Sequence, residues 1–66
     1  MAVARVTKVT ASSSKSFQDA VDEGLSRASS TLRGITGLEV VSQKAKVEAG
    51  KITEYRSTIE VTFVLD

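Results

Sequence analysis

The side chains able to do chemistry are few, and their types exclude most of it. The 66 residues contain no histidine and no cysteine. A serine or threonine nucleophile needs a base beside it, most often histidine, so the common forms of nucleophilic catalysis are ruled out. The usual zinc ligands and any disulfide staple are absent for the same reason. Glu54 and Glu60 share one parity of the last apolar segment. Six residues along a strand would hold them about 20 Å apart, too far for concerted acid–base work. No dinucleotide fingerprint, Walker sequence or calcium loop occurs. An enzyme is not expected.

Two places remain at which a ligand can be handled. The first is Gly34-Ile35-Thr36-Gly37, where paired glycines permit unusual dihedrals and expose backbone N–H groups. It also reads as a helix stop followed by a bend into a strand. The second is Arg56, set between Glu54 and Thr58. It also reads as part of a cross-strand charge pattern, with Lys44 or Lys46 matching the neighbouring glutamates. The serines at 12, 13, 14 and 16 read as a helix start, because serine oxygens accept bonds from free N–H groups there.

The elements that must position these residues follow from periodicity. Val3–Thr10 reads as a strand with valines on both parities, which suits burial on two sides. Ser14–Arg33 reads as a helix with Phe17, Ala20, Val21, Gly24, Ala28 and Leu32 along one stripe. Its acidic residues precede Arg27 and Arg33, and Glu23 with Arg27 has the spacing of an i,i+4 pair. Gly34 is expected to stop it. Leu38–Glu48 reads as a second strand whose apolar phase changes between Val40 and Val41, a sign of a bulge or of burial on both faces. Ala49-Gly50-Lys51 closes a hairpin into a long final strand, Ile52–Leu65. There, Tyr55, Ile59, Val61, Phe63 and Leu65 alternate with Glu54, Arg56, Thr58, Glu60 and Thr62. The order is β-α-β-β, an α+β class with a three-stranded antiparallel sheet wrapped around one helix.

Size turns this pattern into an expectation about assembly. Residues 1–66 make one domain, near the lower limit for a self-sufficient core. The final strand would run roughly 46 Å, against about 30 Å for the helix. Sheet surface and strand edges are left over, and other copies of the chain are expected to cover them. Nine basic and eight acidic side chains give a net charge of +1, which argues against a nucleic-acid partner. No apolar stretch reaches membrane-span length and the start lacks a signal-peptide run. A cytoplasmic location is expected.

Several short motifs in a fixed order carry a family resemblance. They are Thr10–Ser13 before the helix, Arg27-Ala28-Ser29-Ser30-Thr31-Leu32 at its end, Glu39-Val40-Val41 in the second strand and Tyr55–Leu65 at the finish. Together they resemble the dodecins over essentially the whole chain. The resemblance implies a hollow homododecamer that holds pairs of riboflavin or FMN between subunits, storing flavin and quenching its photochemistry. It also places the flavin-stacking tryptophan at Gly37 and the ring-bonding glutamine at Arg56. Neither residue is present, and the chain has no tryptophan at all. An aromatic stack is worth roughly 1–3 kcal/mol. Its loss with a hydrogen bond should weaken flavin binding at least ~100-fold, on the order of 3 kcal/mol. Arg56 can offset part of this by stacking or by holding a phosphate.

The leading expectation is therefore a non-catalytic, dodecin-like small-ligand binding or storage shell with flavin binding weakened or lost. Two other readings stay open. One is a structural shell that presents its charged exterior to a protein partner. The other is a shell in which copies of Glu39, Glu54 and Glu60 gather Ca²⁺ or Mg²⁺, or copies of Arg56 collect an anionic cofactor.

Overall fold

The computed structural model describes residues 3–65. Its elements are β1 (Val3–Ser13), α1 (Phe17–Thr31), β2 (Ile35–Glu48) and β3 (Lys51–Leu65), in the expected β-α-β-β order. β3 is the central strand of an antiparallel sheet ordered β1-β3-β2. The helix thus connects two outer strands that run the same way. The long axis measures 52 Å, against 19 and 12 Å across. Fifteen helical residues cover only about 22 Å of that length.

Local chemistry sets the boundaries and corrects several expectations. The helix is shorter than Ser14–Arg33 at both ends. Ser16 is the N-cap, with extended backbone (φ −167°, ψ 165°), and its Oγ accepts from the Asp19 N–H at 2.9 Å. Ser13 remains in β1, where its Oγ donates to Asp19 at 2.6 Å and accepts from the Lys15 N–H at 2.9 Å. The serine run is thus a strand end followed by a cap, and β1 continues past Thr10 to Ser13. Leu32 caps the C-terminus and Arg33 lies beyond the helix. The Glu23–Arg27 pair does not form among the described residues, as is common for exposed, flexible side chains.

Gly34 is not the helix stop. It has a φ of 74° and its carbonyl accepts the Val64 N–H at 3.0 Å. A Cβ there would sit 3.0 Å from the Val64 carbonyl oxygen, so positive φ and close backbone approach both demand glycine.

The core lies between α1 and the helix-facing side of β3. Ala20, Val21, Gly24 and Ala28 are buried on the helix. Ile59 and Val61 are fully buried beneath them, with Phe63 nearly so and Val9 packed alongside. The small helical residues allow this closeness: a Cβ on Gly24 would meet Ile59 at 3.2 Å and Ala11 at 3.3 Å. Ser57 is the one buried polar side chain among the described residues, and its hydroxyl donates to the Phe17 carbonyl. Above it, Phe17 and Tyr55 stack edge to face with centroids 5.0 Å apart. β2 receives almost none of this cover, and Leu38, Val40, Val41 and Val47 remain exposed.

Candidate functional site

Both expected site residues project from the sheet face opposite the helix. Alternation along β3 sends Ser57, Ile59, Val61 and Phe63 toward the helix and Arg56, Thr58, Glu60 and Thr62 away from it. Gly37 pairs with Thr62 and Lys44 with Arg56. Gly37 and Arg56 are therefore about 20 Å apart along the strand direction. One chain does not bring them to a single ligand. Contact of both with one molecule requires a second copy.

Gly37 lies in β2 beside a register shift, with Thr36 left unpaired between Ile35 and Gly37. Its φ is not positive, and nothing lies within 4 Å of a Cβ built on it. Neither a positive φ nor a close backbone approach within the chain requires glycine there, and the adjoining bulge is the local feature it accompanies. The expectation of unusual dihedrals holds at Gly34 and fails at Gly37.

Arg56 sits in a different setting from the one its spacing suggests. It donates through Nε to Glu54 on its own strand, while Lys46 pairs with Glu48 at 3.6 Å. The expected cross-strand charge pairs are replaced by pairs within each strand. Lys44 stands directly opposite Arg56, and no carboxylate among the described residues lies within ion-pair range of it. Lys44, Ala45, Lys46 and Arg56 line a shallow concavity of about 340 Å³.

The residues of this face form rows across the sheet. Lys8, Glu60 and Glu39 are in register in one row, and Thr10, Thr58 and Ser42 in the next, with the two threonine hydroxyls 2.9 Å apart. Ser12, Arg56 and Lys44 follow, then Glu54 and Lys46. Lys44 and Lys46, expected only as cross-strand matches for the glutamates beside Arg56, reach this face through a one-residue register shift between Lys46 and Val47. Thr53 is the extra residue, and its hydroxyl reaches the Lys46 carbonyl at 3.4 Å. Without that bulge, a hairpin counted back from the turn would place Lys44 opposite Tyr55, on the helix side.

The family model for dodecin matches residues 3–66. The chain belongs to the dodecin family. A dodecin variant from T. thermophilus shares 26% identity over 100% of this chain and 98% of its own, with a TM-score of 0.94. The dodecin from Streptomyces davaonensis is 32% identical over 98% of this chain and 96% of its own, with a TM-score of 0.92. A calcium dodecin from Mycobacterium tuberculosis, which has a calcium-binding site, is 31% identical over 97% and 91% of the two chains, with a TM-score of 0.83. No curated protein matches. Dodecins are small-ligand binding proteins, generally without enzymatic activity, and self-association is a property of the family. In this dodecin no helix among the described residues is long and apolar enough to cross a membrane.

Proposed function

We propose that this dodecin is a non-catalytic, self-assembling holder of a small ligand in which recognition of a flavin ring is weakened or lost. One domain spans residues 1–66, the working unit is a homododecamer in the cytoplasm, and ligands lie between subunits on the polar sheet face. The observation that carries the reading is Gly37 on the polar sheet face: a position with no side chain where the family resemblance expects a stacking tryptophan. Arg56, at the position of the ring-bonding glutamine, is held by Glu54 instead.

The test is direct. Native mass spectrometry of unsupplemented protein is expected to show a dodecamer of the 7.0 kDa chain without a flavin increment, and added riboflavin fluorescence should be quenched poorly. Because nothing obstructs a side chain at Gly37, Gly37→Trp combined with Arg56→Gln should restore quenching, tightening riboflavin binding by at least ~100-fold. Strong quenching by the unaltered protein at submicromolar flavin would overturn the weakened-site reading.

A calcium-holding role, the property of the M. tuberculosis relative, has less support. Within one chain no three carboxylates among the described residues gather as metal ligands, so such a site would need several copies, and Glu60 is flanked by Lys8 as well as by Glu39.

A further inference from the structure

We infer that the free edge of β1 is a strand-addition site for an extended, acidic segment of a partner protein. The inference goes beyond the small-ligand reading and uses neither Gly37 nor Arg56. It begins with a difference between the two outer strands. β2 carries register shifts at Ile35/Gly37 and Val40/Ser42, and such bulges spoil a free edge for further pairing. β1 has none, and pairs with β3 in unbroken register from Val3↔Leu65 to Ser13↔Tyr55. Its outward N–H and C=O groups therefore form a regular row on which another strand can be laid. Val3 and Val6, 62% and 53% exposed, offer apolar contact beside that row.

Charge selects the occupant. Arg5 and Lys8 are the charged residues of β1, and neither enters an ion pair among the described residues. Arg5 lies in a row with Phe63 and Ile35, so no carboxylate in the sheet stands opposite it. The two cations project to opposite faces of the strand. An incoming strand with carboxylates at i and i+3 sets one beside each, and opposite charges across strands attract. A copy of β1 is a poor occupant. Two-fold antiparallel pairing opposes residues of like parity, and every register that pairs nearly the whole strand sets Lys8 opposite or diagonal to the copy's own Lys8. A copy of β2 brings its bulges. A strand without carboxylates leaves both cations unanswered and is selected against.

The placement fits the rest of the molecule. β1 lies at the opposite margin of the sheet from β2, whose bare apolar residues are expected to meet other copies. A partner can add at β1 without displacing one.

The experiment is a fluorescence-anisotropy titration of the assembled, full-length protein at physiological salt. The probe is a short labelled peptide of alternating valine and threonine that carries two glutamates at i and i+3. It is expected to bind about tenfold or more tightly than the same peptide with lysines in their place. Methylating the amide nitrogens along one edge of the peptide should abolish binding, and along the other edge should not, because only one edge pairs with β1. Arg5→Gln combined with Lys8→Gln, both exposed, should weaken the glutamate peptide about tenfold, while Arg27→Gln on the helix exterior should not. Should the double variant alter subunit number, the comparison of glutamate and lysine peptides on the unaltered protein decides alone. No binding by the assembled protein would show that another copy occupies the edge and would overturn the inference. Equal binding of the two peptides, an equal loss in Arg27→Gln, or indifference to methylation on both edges would overturn it as well.

Discussion

β1 and β2 flank the same central strand, and each pairs with it over most of its length. The helix lies over β1 and β3 and barely reaches β2. The consequence shows in two register neighbours. Ile59 is fully buried on β3, while its partner Val40, on the same side of the sheet, is 42% exposed. Backbone pairing alone therefore does not make a core; burial requires a second layer. Half of this sheet has its layer from within the chain. The other half presents Leu38, Val40 and Val41 to whatever lies beside it, which in a dodecin is expected to be another copy.

The sharpest way to break this contrast is to truncate one residue on each side of it. Ile59→Ala removes fully buried volume beneath Val21 and is expected to cost about 2–5 kcal/mol. Urea unfolding should show that loss at every protein concentration. Val40→Ser acts on the bare half. If neighbours cover it, its stability loss should grow as the protein is diluted, because association stabilises by mass action. A Val40→Ser midpoint that ignores dilution would show that no copy covers this face. A comparable, concentration-dependent loss for Ile59→Ala would remove the distinction between the halves.

The same division decides how much could be read from residue spacing. The order of elements, the buried parity of β3 and the small-residue stripe of α1 follow from period-2 and period-3.6 patterns, and all lie in the covered half. The bare half was less legible because its strand is irregular. The phase change between Val40 and Val41 correctly marks a bulge in β2, since Val41 is unpaired between Val40 and Ser42. The shift at Thr53 leaves no such trace, because threonine suits either face. That shift decides whether Lys44 faces Arg56 or the helix side, and with it the composition of the site. Serines were ambiguous for another reason: Ser13 and Ser16 both bond to Asp19, one from the strand end and one as the cap. Gly37 was legible as a departure from the family pattern, but not its place beside a register shift, since Thr36 carries no sign of being unpaired.

The smallest effect is expected where the chain is farthest from either half, at the hairpin tip between β2 and β3. Ala49 and Gly50 both have positive φ, 50° and 76°. This suits the mirror-image turns that match strand twist. Glycine adopts that conformation freely, whereas alanine there carries a steric cost of about 1 kcal/mol. Asparagine tolerates the left-handed region better, because its short polar side chain bonds locally. Ala49→Asn should therefore stabilise the protein by about 0.5 kcal/mol, raising the thermal midpoint by roughly 2–4 °C. Gly50→Ala should do the opposite, although nothing lies within 4 Å of the added Cβ, because the penalty comes from the dihedral and not from a neighbour. Since the tip is exposed and its backbone strain is local, both changes should leave subunit number untouched. A Gly50→Ala protein as stable as the unaltered chain would mean that the tip is not held in this turn, and that the register carried from it through Thr53 to Lys44 and Arg56 is set elsewhere along the sheet.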